Sequence, residues 1–533
     1  MGGPTALNVE EKYMGPLLSM GDVLSGHARV YPDRIGARDL SRSMTFCEWN
    51  ARACRLANAL LGLGLRKGDR LGVLAYNCVE WMEIYAAVAK AGLVAVPINF
   101  RLVGREMRYI IENCEARALI VQDDLLAPIE EIRRDISIDK FIHFGGGRTS
   151  AGYLAYETII ADARDTEPEE NVHPNDYWTF MYTSGTTGAP KGAIRSHGAS
   201  ALLSLSTAVE LGFNRNDAAL LAMPMCHANS LYFASTLTYC GGGVSVYNRK
   251  SFDPEHFLRT ISEGGESFTS LVPTHYVMML GLPAAARDGC ETRRVTKLMI
   301  SSAPARQDTK REIMAFFQNS GLFELYGSTE AGWVTMLHPD EQFTKLGSVG
   351  RECVGSAPIK LFDDRGQEVS EGEVGELYSQ TPYTFDGYWR LPEKTRDAFR
   401  GTHCTVGDMA RRDEDGFYYL VDRKSNMIIS GGENVYPSEV EEVLGAHPAV
   451  KEVAVVGLPD VKWGERVHGV VVLRDGFSTI ETELMVWCRE RLAGYKRPRS
   501  IAIIPDEEMP RTATGKVQHR ILKSRIAQTQ PAN

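Results

Sequence analysis

The chain has 533 residues, 44% hydrophobic and 24% charged, which is ample for a core and rules against disordered or collagen-like readings. Its net charge of −9 argues against nucleic acid as the main partner, because a phosphate backbone needs a basic face. A small anion is not excluded, since it needs only a local positive site.

The start, "MGGPTALNVEEKYMG", shows neither a basic n-region nor an apolar h-region, so no secretory leader is expected. Leu56, Leu60 and Leu63 form one helical face ended by Gly64. "DRLGVLAYN" reads as a buried strand, "VEWMEIYAAVAKAG" as a helix closed by Gly92, and "LVAVPI" as another strand. "IYAAVAKAGLVAVPINF" is the best membrane candidate, but Lys90 and Pro97 interrupt it short of a roughly 20-residue span. The alternation repeats in "GREMRYIIENCE" and "ARALIVQ", and again through "SFTSLVP", "VTKLMISSAP" and "GLFELYGSTE". Such alternation predicts an α/β fold, a large layered N-terminal domain with several sheets. After about Leu420 the pattern shifts to "PSEVEEVLGAHP", "AVKEVAVVGL", "RVHGVVVL", "IETELMVWCRERL" and "RSIAIIP", enough for a small α+β domain. The division is placed between residues 1–423 and 424–533. Ten cysteines without a C-x-x-C pair suit reduced thiols, and hence a cytoplasmic protein.

The first stretch with chemistry is "YTSGTTGAPKG", Tyr182 to Gly192. Glycines let backbone N–H groups converge on one point, which suits a phosphate. Thr183, Ser184, Thr186 and Thr187 add hydroxyls, and Lys191 adds a mobile charge. It is not a Walker A motif, because Pro190 precedes the lysine and Gly192 follows it. On composition alone a flexible linker stays open. In "ELYGSTE", Tyr326 suits stacking on a base, Thr329 donation to a phosphate, and Glu330 a hard cation such as Mg²⁺. Alone, that stretch reads more readily as a strand end with a capping threonine and a solvated glutamate. Asp408 and Arg423 flank an expected hairpin with "DEDG" as its turn, where a cross-strand salt bridge is the plain reading.

Together these segments resemble the adenylate-forming (AMP-binding) superfamily, in particular its acyl-CoA synthetases and fatty-acid–CoA ligases. The glycine-rich loop, "LFELYGSTEAG", "GELYSQTPYTFDGYW", "VGDMARRDEDGFYYLVDRKSNMIISGGENVYPSEVE" and "PRTATGKV" occur in the family's order over nearly the whole chain. The resemblance implies an ATP-dependent ligase that joins a carboxylic acid to CoA through an acyl-adenylate, releasing AMP and pyrophosphate. It implies an ATP site from Thr183, Ser184, Gly185, Thr186, Thr187, Gly188 and Lys191, from Ser302, Ala303 and Pro304 of "SSAPA", and from Glu324, Leu325, Tyr326 and Gly327. Asp408 and Arg423 would hold the ribose, and Glu330 would hold Mg²⁺.

The same resemblance makes Lys516, Thr329, Glu330 and His227 catalytic, with Lys516 bridging carboxylate and α-phosphate. His227 and Trp333 would line the acyl pocket, and a structural role for either stays open. Ser425 stands at the expected hinge of a mobile C-terminal domain, where relatives usually carry Asp or Lys. Gly431, Gly432 and Trp463 would meet CoA, with a core tryptophan an equal reading of Trp463. The chain ends seventeen residues after Lys516, so no attached carrier domain is expected and CoA is the favoured acceptor. A carrier-protein-loading enzyme and a non-catalytic nucleotide-binding protein remain the alternatives. Arg306 is the one obvious charge in the pocket-adjacent stretches, so the expected acid is a monocarboxylate with an apolar body. No transmembrane segment is expected, and a homodimer is left open.

Overall fold

The computed structural model describes residues 19–146, 151–183, 189–301, 305–424, 426–430, 433–460, 462–512 and 516–529. They divide into two compact units. One holds the described residues of 1–344, 352–358 and 380–404, and the other those of 345–351, 359–379 and 405–533.

The larger unit is built on two mixed sheets. In the first, the strands run Gly387–Tyr388, Lys191–Ser196, Tyr177–Thr183, Val94–Ile98, Arg70–Leu74, Ala116–Gln122, Lys140–Phe144 and Leu154–Ala155. Lys191–Ser196 is antiparallel to both of its neighbours, and the remaining pairs are parallel. In the second, the order runs from Gly332–Leu337 through Gly321–Ser328, Lys297–Ser301, Phe268–Leu271, Ala218–Leu221, Gly243–Val246 and Ile35–Asp39 to Ser43–Thr45. Parallel strands covered on both faces need near-continuous apolar runs, and that is what "LVAVPI" and "ARALIVQ" supply.

Helix Glu80–Ala91 is buried at every position from Trp81 to Ala91, and Gly92 closes it at φ +62. The apolar stretch that was the membrane candidate is therefore this core helix and the strand after it. Among the described residues no helix is long and apolar enough to cross a membrane. The leucine face belongs to helix Phe46–Gly62, opened by a Thr45–Glu48 capping box, with Gly64 just beyond its end at φ +93. None of the ten cysteines forms a disulfide among the described residues.

In the smaller unit, strands Gly375–Gln380, Asp408–Arg412 and Tyr418–Arg423 pair antiparallel in that order. "DEDG" is the turn of the hairpin, as expected. Asp413 Oδ1 accepts from the backbone N–H groups of Asp415 (3.1 Å) and Phe417 (2.8 Å), and Gly416 takes φ +83. The C-terminal sheet centres on the long antiparallel pair Val450–Asp460 and Gly464–Leu473. Ile428–Ser430 and Ser500–Ile503 also join Gly464–Leu473, and Glu433–Val435 pairs with Ile428–Ser430. Val440 and Leu444 of helix Pro437–Gly445 and Leu484 of helix Glu481–Arg489 pack into its core.

Candidate active site

The glycine-rich motif lies between two antiparallel strands. Strand Tyr177–Thr183 enters it and strand Lys191–Ser196 leaves, with Thr183 opposite Lys191 and Tyr182 opposite Gly192. Ser184, Gly185, Thr186, Thr187 and Gly188 lie outside the described residues, as do Ser302, Ala303 and Pro304 of "SSAPA", Ser425, Gly431 and Gly432.

A hairpin meets this strand pair. Strand Gly321–Ser328 carries Glu324, Leu325, Tyr326 and Gly327, then turns through Thr329, Glu330 and Ala331 into strand Gly332–Leu337. Ser328 pairs with Gly332, and the Ala331 N–H donates to Ser328 Oγ at 2.9 Å. Gly327 has no room for a side chain, because a Cβ there would overlap the Gly332 carbonyl oxygen. Tyr326 and Leu325 are buried in the strand. The Glu324 carboxylate is taken by a buried ion pair with Lys310 and a backbone N–H bond from Ala305, and burial pushes its pKa up.

The structure brings Thr183, Lys191 and Glu330 together. The Glu330 side chain is 6% exposed, and its Oε1 accepts from Thr183 Oγ1 and from Tyr388 OH, both at 3.0 Å. Lys191 Nζ lies 4.0 Å from the centroid of the same Tyr388 ring. Burial lowers the Lys191 pKa, with the Glu330 charge opposing the shift. No cation lies within ion-pair distance of the Glu330 carboxylate among the described residues. A buried carboxyl group without an ion-pair partner is a fit site for a hard cation. Among the described residues no three ligating side chains gather for a metal. A cation here would therefore rest on Glu330 and on oxygens of a bound ligand, the usual arrangement for Mg²⁺ with a nucleotide.

His227 is the residue before helix Ala228–Cys240, and its side chain makes no capping bond. Burial first, then Arg101, lowers its pKa to about 4, so the ring is neutral near pH 7. Its buried Nε2 has no hydrogen-bond partner among the described residues. Trp333 stacks on Phe233 (centroids 5.3 Å apart) and meets Tyr232 edge-on at 5.2 Å, inside the main core. Arg306 is exposed and paired with Asp308 at 2.8 Å.

The smaller unit gathers another set. Asp408 and Arg423 are register partners, and Arg423 Nε lies 3.2 Å from Asp408 Oδ1. Beside Lys516, Arg511 pairs with Val517, and the Thr512 N–H donates to the Lys516 carbonyl at 2.7 Å. Although the Lys516 side chain keeps solvent exposure, crowding by protein and then Arg423 lower its pKa, while Asp408 opposes them. Trp463 is half-buried rather than a core residue, with Lys462 Nζ 4.8 Å and Arg499 Cζ 4.7 Å from its ring centroid.

Two residues had no role in the sequence reading. Tyr388 stood inside a quoted motif without a function, and Arg195 was passed over. The available signal for Arg195 is a charge following the small and apolar Gly192, Ala193 and Ile194 within the strand, on the same face as Lys191.

Residues 24–389 match the AMP-binding enzyme family, and residues 439–516 match the AMP-binding enzyme C-terminal domain. A 2-succinylbenzoate–CoA ligase of Geobacillus kaustophilus is 33% identical over 96% of this chain and 99% of its own. A feruloyl-CoA synthase of an Amycolatopsis species is 34% identical over 92% and 95%. Among solved structures, O-succinylbenzoate coenzyme A synthetase from Bacillus subtilis, in complex with ATP and a magnesium ion, superposes with a TM-score of 0.83. It shares 28% identity over 94% of this chain and 99% of that one. Domain matches, full-length relatives and the described fold agree: the chain belongs to the AMP-binding enzyme family, and it is an acid–thiol ligase.

Proposed function

We propose that this enzyme activates a carboxylic acid with ATP and transfers the acyl group to CoA, with an acyl-adenylate between the two steps. The observation that carries the reading is the buried Glu330 carboxylate, held by Thr183 and Tyr388 beside Lys191 at the ends of the glycine-rich motif. In the first step a carboxylate oxygen attacks the α-phosphorus, the bond to the bridging oxygen breaks, and pyrophosphate leaves. In the second the CoA sulfur attacks the acyl carbon, the carbon–oxygen bond breaks, AMP leaves, and the thiol proton passes to solvent. Mg²⁺, when bound with the nucleotide, supplies neutralisation of the phosphate charge.

The chain's own residues orient and hold charge. Thr183, Lys191 and the loop between them are assigned the β- and γ-phosphates, Thr329 the α-phosphate, Tyr326 the adenine, and Asp408 with Arg423 the ribose. Lys516 is assigned the charge that grows between carboxylate and α-phosphate. His227, neutral at working pH, and Trp333 are assigned to the acyl side. Ser425 is assigned the pivot between residues 1–423 and 424–533, with Gly431, Gly432 and Trp463 serving the CoA step. The Lys462 and Arg499 charges over the Trp463 ring suit an anionic, aromatic ligand such as CoA's nucleotide end. The acid is read as a monocarboxylate with an apolar body, in keeping with an Arg306 neutralised by Asp308.

The test is pyrophosphate release from ATP and Mg²⁺ across a panel of carboxylic acids, with and without CoA. Release that needs one acid class, with AMP and thioester accumulating only when CoA is added, supports the reading. Release independent of any acid, or thioester formation on a carrier protein but never on CoA, overturns it.

A further inference from the structure

We propose that Arg195 is a positioning residue, which sets the Thr329–Glu330 turn by holding its main chain from inside the core. This rests on the reading of Glu330 as the carboxylate that meets the nucleotide's Mg²⁺.

Arg195 lies on strand Lys191–Ser196, opposite Thr179, and is 0% exposed. A guanidinium taken wholly out of water is costly unless its charge is answered. No carboxylate answers it within ion-pair distance among the described residues. Instead Nη1 donates to the Thr329 carbonyl at 3.4 Å and the Glu330 carbonyl at 3.3 Å, and Cζ lies 5.1 Å from the Tyr232 ring centroid. Nε and Nη2, both buried, have no hydrogen-bond partner among the described residues. The charge is thus spent on two adjacent carbonyls and one aromatic face.

Those carbonyls belong to the turn that presents Thr329 and Glu330. Each has a second donor: Tyr232 OH reaches the Thr329 carbonyl at 3.3 Å, and the Phe385 N–H reaches that of Glu330 at 2.8 Å. With its carbonyl drawn towards Arg195, Glu330 has its carboxylate on Thr183 and Tyr388. Period-two alternation puts Lys191 and Arg195 on the same face of one strand. That strand therefore governs Glu330 twice, at its main chain through Arg195 and at its side chain through the Tyr388 ring under Lys191. An apolar residue at 195 would leave each carbonyl with one of its two donors and let the turn relax.

The experiment compares Arg195→Met, Arg195→Lys and Glu330→Gln in the full chain. Affinity for Mn²⁺·ATP is read by electron paramagnetic resonance, and acid-dependent pyrophosphate release is followed as free Mg²⁺ is varied. Residues that orient a metal's ligand typically contribute about 10- to 100-fold to affinity or activity. Arg195→Met is expected to weaken Mn²⁺·ATP by at least about tenfold and raise the Mg²⁺ half-saturation alike, with Arg195→Lys between it and the parent. Thioester formation from supplied acyl-adenylate and CoA, which draws on Thr329 but on no metal at Glu330, is expected to fall by clearly less than the Mn²⁺·ATP affinity does, a split that general loosening of the core does not give. If Arg195→Met does not fold, Arg195→Lys carries the test, and an unchanged metal affinity there overturns the proposal. Weakened metal binding in Glu330→Gln with none in either Arg195 variant overturns the role of Arg195 alone. No weakening in Glu330→Gln overturns the reading of Glu330 and this proposal with it.

Discussion

Asp408 and Arg423 stand directly opposite each other on paired antiparallel strands, with Arg423 Nε 3.2 Å from Asp408 Oδ1. The pair is asymmetric: Asp408 is 9% exposed, whereas the Arg423 side chain is about half exposed at 48%. An exposed arginine adds little to stability through such a bridge. The pairing orients a buried carboxyl group, with oxygens placed to accept from hydroxyls.

If that carboxylate receives the ribose hydroxyls, Asp408→Asn will lower kcat/KM for ATP by about 10- to 100-fold, the usual weight of hydrogen bonds to a charged acceptor. The preference for ATP over 2′-deoxy-ATP will shrink in the same variant. Steady-state kinetics with both nucleotides decide it; an undiminished preference assigns the pair to the hairpin alone.

Lys516 gives a pH prediction with a definite sign. Crowding and Arg423 depress its pKa, so its charged form is lost at lower pH than for an ordinary lysine, and adenylation will fall on that alkaline limb. Arg423→Gln removes a depressing charge and will move the limb to higher pH. Asp408→Asn removes the opposing one and will move it lower. Lys516→Ala will cost adenylation about 10²- to 10³-fold while sparing thioester formation from supplied adenylate. Limbs that coincide in all three proteins separate Lys516 from the chemistry.

Gly327→Ala tests the tight hairpin. Its Cβ meets the Gly332 carbonyl oxygen and the Trp333 ring, so the strands must part. Overpacking of this kind costs about 1–3 kcal/mol. The larger unit's melting temperature will fall, and Mg²⁺-dependent nucleotide binding will weaken with it. A variant as stable and active as the parent would show that the hairpin breathes more freely than its packing implies.

Stability will also fall on acidification. Burial holds His197, 2% exposed, at a pKa of about 4, below the ordinary 6.5. Between those values the unfolded chain binds a proton that the native one refuses. The contribution is therefore fully present above about pH 6.5 and is lost towards pH 4, at up to ~1.4 kcal/mol per pH unit. Urea midpoints at pH 7, 6 and 5 should decline more steeply in the parent than in His197→Gln. Parallel declines would show that His197 is not among the groups responsible.

Local signals carried much of the fold. Gly92 closes its helix at positive φ, the strands of the larger unit follow their Val/Ile/Leu runs, and the "DEDG" turn closes the Asp408–Arg423 hairpin. These features depend on near neighbours, so patterning and turn chemistry suffice. The site was legible as separate motifs, but not as contacts. Thr183 and Glu330 are 147 residues apart, and Tyr388 reaches Glu330 from 58 away. No periodicity encodes such meetings. Arg195 was missed because a charge within a strand reads as solvent-facing, whereas here backbone carbonyls and a tyrosine ring make its burial tolerable. Trp463, open between a CoA contact and a core residue on sequence, is half-buried, with Lys462 and Arg499 beside its ring.

The acyl-adenylate is tested most directly by where one oxygen atom goes. With the accepted acid labelled by ¹⁸O in both carboxylate oxygens, and ATP, Mg²⁺ and CoA supplied, the products are weighed by mass spectrometry. Attack of the carboxylate on the α-phosphorus predicts AMP carrying one ¹⁸O and a thioester retaining the other. Unlabelled AMP, with the label found in phosphate or pyrophosphate, would contradict the acyl-adenylate and the assignment of Thr329, Glu330 and Lys516 to its formation.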